Sequence, residues 1–478
     1  MRPEYSGAPR SPVWGKPPTL SLPKFISACI WNGGFCIVSE RSLSFSIMTI
    51  ERIESHGVVG AGGGGFPTAV KLRTEATIFL VNAAECEPLL HKDKELLKYQ
   101  AEPMLRGLQL AMDCVGATEA VIGIKNKYDD VISSLKPQLP SGVRIVPLTD
   151  TYPAGDEFIL VHDVTGKVIP PGGLPKDVGA AVTNVETLVN VGLDRPVTHK
   201  YLTVAGAVKT PVTLRVPVGL SLGEAIEAAG GATVAPIAIL LGGVMMARLA
   251  SGPDEPITKT TGGIIVLPST HPLVLRHGAK WPQIARVGRS ACDQCRFCTE
   301  MCPRYLIGHP IEPHAAMRAL GFTEPPNPTI AGTLYCCECN LCSLYACPED
   351  LDPKNVCVES KPVARERGLV FKGRPEDVQP HPLAEGRRVP TKRLMARLGL
   401  NEFRNVGPLV ERELAPERVV LPLKQHAGAP AEPTVRPGER VRVGDLVAQP
   451  AEGRLGARIH ASIDGTVRTA DGSVEIEA

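Results

Sequence analysis

Fourteen cysteines occur in this chain, and eight fall into two strings, Cys292-x2-Cys295-x2-Cys298-x3-Cys302-Pro303 and Cys336-x2-Cys339-x2-Cys342-x4-Cys347-Pro348. Three thiolates at intervals of three residues wrap a tight loop around one face of a cubane iron-sulfur cluster, and a fourth thiolate arrives from elsewhere. Proline after each fourth cysteine ends the loop where no backbone donor is needed. Zinc is the competing reading, because paired C-x2-C units also build four-thiolate zinc sites. The second string has x4 where x3 is usual, and Cys337 lies beside Cys336, so either thiol of that pair is a candidate ligand.

In proteins with two such strings the fourth cysteine of each ligates the other cluster. Carried onto this chain, Cys292, Cys295, Cys298 and Cys347 hold one 4Fe-4S cluster, and Cys336, Cys339, Cys342 and Cys302 the other. A chain built this way moves single electrons. Thiolate ligands need a reducing compartment, which points to the cytoplasm.

At 478 residues the chain is too long for one core and suggests about three to four domains. Lys plus Arg (52) against Asp plus Glu (50) carries no basic signature of nucleic-acid binding. No run of eighteen or more apolar residues occurs, so no transmembrane segment is expected. Residues 25–39 are mildly apolar but broken by Asn32, Gly33 and Gly34, and lack the cleavage site of a secretory signal. Residues 1–47 are rich in Pro and Ser without periodicity and read as an irregular extension or a misplaced start, with Met48 opening the regular chain.

From there strands and helices alternate. Residues 77–82, 121–124 and 144–148 read as strands, and 92–115 and 127–136 as helices, with Leu96, Leu97, Met104, Leu105, Leu108 and Met112 facing inward. This predicts an α/β domain with a largely parallel sheet over 48–195. A hairpin (201–208 and 212–217) and a helix over 221–229 ended by Gly230-Gly231 predict a small α+β domain over 197–270. The cysteine strings occupy 280–360, helical between loops, with one helix from His314 to Leu320. An Arg- and Pro-rich linker spans 361–405, and Gly-Asp and Asp-Gly turns between short apolar runs predict an all-β unit over 408–478.

The run Gly60-Ala61-Gly62-Gly63-Gly64-Gly65-Phe66-Pro67-Thr68 has little side chain, so its backbone can approach a ligand and offer amides to an anion. Pro67 is placed to start a helix, and Lys71 lies one turn in. No Gly-Lys-Ser/Thr closes a Walker loop, and no clear strand precedes it as in a Rossmann fingerprint. A plain flexible connection is the alternative.

Three motifs, Gly60 to Leu72 (GAGGGGFPTAVKL), Asn82 to Pro88 (NAAECEP) and Thr183 to Leu188 (TNVETL), carry a wider resemblance. The chain resembles the family that unites the flavin-binding subunit of respiratory complex I, the C subunit of the Rnf complex and the cobalamin reductases of propanediol-utilisation microcompartments. The resemblance implies an α/β multidomain protein: a complex I flavin-subunit-like FMN domain, a soluble-ligand-binding β-grasp (SLBB) domain, a two-cluster ferredoxin-like domain and a C-terminal barrel-sandwich hybrid. It also implies that Gly62, Gly63, Gly64, Gly65 and Lys71 cradle the FMN phosphate. Asn82 and Glu85 then approach the flavin, Thr183, Asn184 and Thr187 complete the site, and Glu85 and Glu87 orient NADH. Glu85 and Glu87 otherwise read as solvated carboxylates at a strand end. No attachment lysine sits in the Ile463 to Val467 turn, so no swinging arm is expected.

IPPGGLPKDVG at Ile169 to Gly179, the string from Ser290 to His314 and the C-terminal place of the barrel resemble the cobalamin-reductase branch. That branch implies NADH as donor, FMN and two 4Fe-4S clusters as carriers, and a corrinoid or an electron-acceptor protein as partner. It also implies microcompartment enzymes or shell as neighbours and, beside the cytoplasm, a microcompartment as location. An Rnf-type subunit of a membrane complex is the alternative, and a cluster-bearing scaffold or sensor without turnover a third. No side chain is assigned as general acid, base or nucleophile. His56, His91, His162, His309 and His314 lack paired ligand spacing, and Cys29, Cys36, Cys86, Cys114 and Cys357 read as ordinary thiols.

Overall fold

The computed structural model describes residues 49–370 and 378–478. The expected extension over 1–47, Met48, Cys29 and Cys36 lie outside the described residues, as does 371–377 of the expected linker.

Four parallel strands form the first sheet, in the order Val143–Leu148, Glu119–Lys125, Ile78–Ala83 and Ala180–Asn184. The fourth strand, AAVTN, is too short and small-sided to announce itself, yet it sets the edge against which Ile78–Ala83 pairs. The expected single helix over 92–115 is two, Lys92–Tyr99 and Ala101–Val115, parted at Gln100. Pro103 sits in the first turn of the second helix, where a missing backbone donor costs nothing. All six residues expected to face inward are buried.

Helix Ala101–Val115 packs on helix Val185–Leu193 through Gly107 and Gly192, and a methyl group on either would collide with the other helix's backbone. This close approach seats the helix that begins just below the candidate site.

A second sheet has the order Leu409–Val410, Val212–Pro217, His199–Gly206, Gly263–Pro268, Ile237–Leu241 and Arg248–Leu249. Helix Leu222–Ala228 packs on it, opened by a capping box between Ser221 and Glu224. The tail folds into a four-stranded and a three-stranded antiparallel sheet around Val419, Leu421, Val447, Ile459 and Val474. The buried Lys259 ammonium ties these parts together, donating to the carbonyls of Gly57 (2.8 Å) and Arg458 (2.7 Å).

The segment expected to be a linker does more than connect. Val389–Pro390 pairs with Thr151–Tyr152, and helix Thr391–Arg397 buries Leu394 and Met395 with Leu398 and Leu400 behind it. Its Arg and Pro content masked that apolar face. Among the described residues no helix is long and apolar enough to cross a membrane.

Gly107→Ala should destabilise the protein by about 1–3 kcal/mol, since the added methyl has to push two helices apart. A fall in the urea midpoint at unchanged slope checks it.

Candidate electron-transfer site

Asn82 and Asn184 are register partners on adjacent parallel strands, near the carboxyl ends. Crevices outside strand carboxyl ends are the usual ligand sites of such sheets. Here a cavity of about 330 Å³ opens, lined among others by Gly62, Gly63, Asn82, Glu85, Cys86, Glu87, Lys92, Tyr152, Asp156, Glu157, Asn184, Met246, Thr260 and Cys339.

The glycine run forms its rim. A bridge between Val59 and Pro67 pinches the loop shut, and Gly65 N donates to Gly60 O (3.1 Å). Gly63 has φ +116°, and Cβ atoms on Gly63 or Gly64 would meet nothing within 4 Å. Those two residues leave room for a ligand to lie against the backbone. Gly65 serves packing instead, pressed against Thr260 and His426.

Below the loop, Ala61 N donates to Thr187 Oγ1 (2.9 Å) and Ala61 O accepts from Lys200 Nζ (3.1 Å). Fully buried Glu186 accepts from Lys92 (2.8 Å), from Lys200 and from Tyr201 N (2.9 Å). Burial pulls Lys92 down, but Asp93, Glu186 and Glu85 together hold it above the ordinary lysine range. Lys200 is lowered to about 8 by burial, which Glu186 only partly offsets.

The sequence-predicted residues thus divide. Gly62, Gly63, Asn82, Glu85, Glu87 and Asn184 line the cavity. Thr187 is buried beneath the loop, and Thr183 is buried with a hydroxyl that has no hydrogen-bond partner among the described residues. Lys71 stands behind the wall, donating to Val182 O (2.7 Å) and paired with Glu157 (3.2 Å).

Neither glutamate of NAAECEP is a solvated carboxylate. Glu85 accepts from Asp93 N (3.0 Å), and burial, then the charge of Asp93, pushes its pKa up to about 8. Glu87 accepts the backbone amides of Val244 (2.8 Å), Met245 (2.8 Å) and Met246 (2.9 Å). Gly243 makes this possible, because a side chain there would strike the Glu87 carboxylate. Glu87 therefore clamps a loop of the second sheet onto the cavity.

Sequence reasoning missed Tyr152, Lys92, Asp156 and Met246. Tyr152 lines the cavity and donates its hydroxyl to the backbone carbonyl of Cys339 (2.8 Å). Asp156 caps helix Glu157–Thr165 and pairs with buried Arg304 (2.8 Å), two residues after Cys302. The only sequence signal was the clustering of Tyr, Pro, Gly and acids over 150–157.

The two cysteine strings share one backbone. Gln294 (φ 61°) and Arg296 (φ 71°) in the first match Glu338 (φ 61°) and Asn340 (φ 66°) in the second. That register sets Cys336, not Cys337, opposite Cys292. The extra residue of the x4 spacing is taken up by a π-helical turn, Cys342–Ala346.

Burial pushes the Cys298 thiol up to about 12, with Cys292, Cys295 and Cys347 near enough to add to it. Cys302 is raised by burial and then by Cys337 and Cys336, and Cys342 by burial and then by Cys336 and Cys302. The charge of Cys347 reaches the first string and that of Cys302 the second, and Cys298 reaches across to Cys342. Cys337 touches Cys339, and Cys357 touches Cys336. Cys336 is the exception, lowered to about 7 by the hydrogen bond from Cys357; the other buried thiols resist ionisation alone, and a cationic iron core would stabilise them as thiolates. Among the described residues no three such side chains converge on one ion.

Two tests follow from the carboxylates. A folded-state pKa above the unfolded value makes Glu85 a contributor to stability at low pH, lost as pH rises to about 8. In flavin-free protein Glu85→Gln should therefore be more stable than wild type at pH 8 to 9, with the gap closing toward pH 5, as read by urea unfolding. Glu87→Ala leaves three amides without their acceptor and should cost about 2–4 kcal/mol. Amide hydrogen exchange should rise locally at Val244 to Met246.

The Nuo51 FMN-binding domain model matches residues 53–193, the SLBB domain 201–249, the 4Fe-4S dicluster domain 291–352 and the RnfC barrel sandwich hybrid domain 407–476. An FMN domain and a dicluster domain in one chain make this an FMN and iron-sulfur electron-transfer oxidoreductase. Cobalamin reductase PduS of Salmonella typhimurium is 46% identical over 90% of this chain and 95% of its own length. The PduS of Citrobacter freundii is 43% identical over 90% and 96%. The C subunit of the proton-translocating ferredoxin:NAD(+) oxidoreductase of Clostridium ljungdahlii is 33% identical, over 53% of this chain and 55% of its own. With the PduS identity running nearly end to end, the chain belongs to the family of the cobalamin reductases PduS.

Proposed function

We propose that this protein passes electrons from NADH through FMN and two 4Fe-4S clusters to a corrinoid, reducing cob(III)alamin toward cob(I)alamin for reactivation of a B12-dependent diol dehydratase. The observation that carries the reading is that Cys339, in the middle of the second string, lines the same cavity as Gly62, Gly63, Asn82 and Asn184. FMN, when bound, takes a hydride as a two-electron unit and gives electrons up singly to carriers that hold one each.

The chain's own residues do the placing. Gly62 to Gly64 offer backbone to the FMN phosphate, while Thr187, Lys200 and Lys92 fix the loop from below. Asn82, Glu85 and Asn184 face the ring. Lys71 acts through Glu157, and Thr183 and Gly65 support the wall. Glu87 holds the second-sheet loop in place, so we assign nicotinamide orientation to Glu85 alone. Cys336, Cys339, Cys342 and Cys302 ligate the cluster next to the cavity; Cys292, Cys295, Cys298 and Cys347 ligate the other, whose Cys295 is exposed. That order leads electrons from the cavity to the surface. We divide the chain into domains at 48–195, 197–270, 280–360 and 408–478, and place it in the cytoplasm or within a microcompartment, beside diol dehydratase enzymes or shell.

Anaerobically purified protein should contain flavin, iron and acid-labile sulfide, and should reduce hydroxocobalamin with NADH. Iron and flavin without corrinoid reduction would sink the choice of acceptor, and stoichiometric zinc would sink the clusters. Cys336→Ser should lose about four iron atoms and Cys337→Ser none; the reverse result would exchange their roles.

A further inference from the structure

The two strings repeat a backbone but differ at one matched position. In the first, Gln294 donates its side-chain amide to Cys292 Sγ (3.1 Å), and Arg318 Nε donates to Gln294 Oε1 (3.1 Å). The guanidinium has no acceptor, so its partner atom must be the amide oxygen, and the NH2 group is thereby turned toward the sulfur. In the second, the matched residue is Glu338. It contributes a backbone amide to Cys336 Sγ (3.4 Å), while its carboxylate is tied to Lys361 (2.5 Å), which also donates to Cys336 O (2.9 Å).

At this matched position the difference has a direction. Reduction adds negative charge to a cluster, and N–H donors to its sulfurs and nearby cations stabilise that charge, while burial and nearby carboxylates oppose it. At the first string there is a side-chain donor backed by a cation, Arg318, with one carboxylate, Asp293, accepting from Cys295 N (3.2 Å). At the matched position of the second, Glu338 offers no side-chain donor and its pair with Lys361 is neutral as a whole; the side-chain contacts of that string are the Cys357 thiol on Cys336 and the Ser343 hydroxyl 3.9 Å from Cys342 Sγ. Exposure differs by one thiol: the first set has Cys295 exposed, Cys292 half-buried and Cys298 and Cys347 buried, and the second has Cys336 half-buried and Cys302, Cys339 and Cys342 buried.

We infer that Gln294, held by Arg318, and Glu338, held by Lys361, set the two clusters at different reduction potentials, the cluster of Cys292, Cys295, Cys298 and Cys347 being the higher. Since Cys339 borders the flavin cavity and Cys295 the surface, the difference drives electrons outward. Gln294 and Glu338 are positioning and tuning residues; they ligate nothing. The inference rests on the reading of both strings as cluster ligands.

The test is a potentiometric titration of anaerobic holoprotein followed by electron paramagnetic resonance, with iron counted in every sample. Wild type should give two reduction waves. Gln294→Leu should shift the higher wave downward by at least tenfold in its reduction equilibrium, about 59 mV for one electron, and leave the lower wave in place. Arg318→Leu, which lies outside the cysteine loops, should move the same wave the same way by less, and carries the test if Gln294→Leu fails to hold iron. Glu338→Gln should raise the lower wave and narrow the gap. Waves that stay put in iron-replete variants, or a Gln294 effect confined to the lower wave, overturn the inference and leave the cluster reading intact. Wild-type protein without iron overturns the cluster reading itself.

Discussion

The hydroxyl of Tyr152 reaches from the wall of the cavity at the strand ends to the backbone carbonyl of Cys339, and contacts from three parts of the chain hold it there. Electron transfer asks little of side-chain reactivity and much of placement, because the chemistry belongs to the cofactors and the protein decides what stands next to what. Tyr152 is held by its strand pairing with Val389–Pro390. The Cys339 loop is held by Asn340, whose amide donates to Met245 O (3.1 Å). Met245 is in turn fixed through Glu87. Three remote parts of the chain thereby close around one corner.

Beneath the glycine loop a second device works by charge. Two lysines and Glu186 are buried together, an arrangement that earns little net stability because each ion gives up water. What it gives is direction: Lys92 and Lys200 both point at the carbonyl of Ala61, so the loop cannot flatten into the cavity. Gly63 and Gly64 are left with open space beside their Cα atoms. Removing Glu186 would leave Lys200 with the Ala61 carbonyl and Lys92 with Asp93 and the same carbonyl, which makes the network a specification of shape more than a source of strength.

Much of this was legible in the chain and some was not, for identifiable reasons. Apolar runs such as Val121 to Ile124 announce parallel strands because both faces are buried, and the cysteine intervals announce cluster loops because ligand geometry fixes them. The ligand choice between Cys336 and Cys337 is different. Spacing allows either, and only the left-handed backbone at Glu338 and Asn340 aligns the second string with the first. Glu87 was open to misreading because its three donors lie on a loop of another sheet, and no local pattern reports a partner so distant. Helix Thr391–Arg397 was hidden by its charged residues, although Leu394, Leu398 and Leu400 keep a buried face.

If FMN fills the cavity and a cluster the loop of Cys339, the two carriers meet at Tyr152 and Cys339 and electrons cross between them. Freeze-quench spectroscopy of anaerobic, iron-replete protein mixed with excess NADH tests it most directly. Iron-sulfur signals should rise together with the bleaching of flavin absorbance, within the time of one turnover. Full bleaching of the flavin with iron-sulfur signals absent for many turnovers would contradict it.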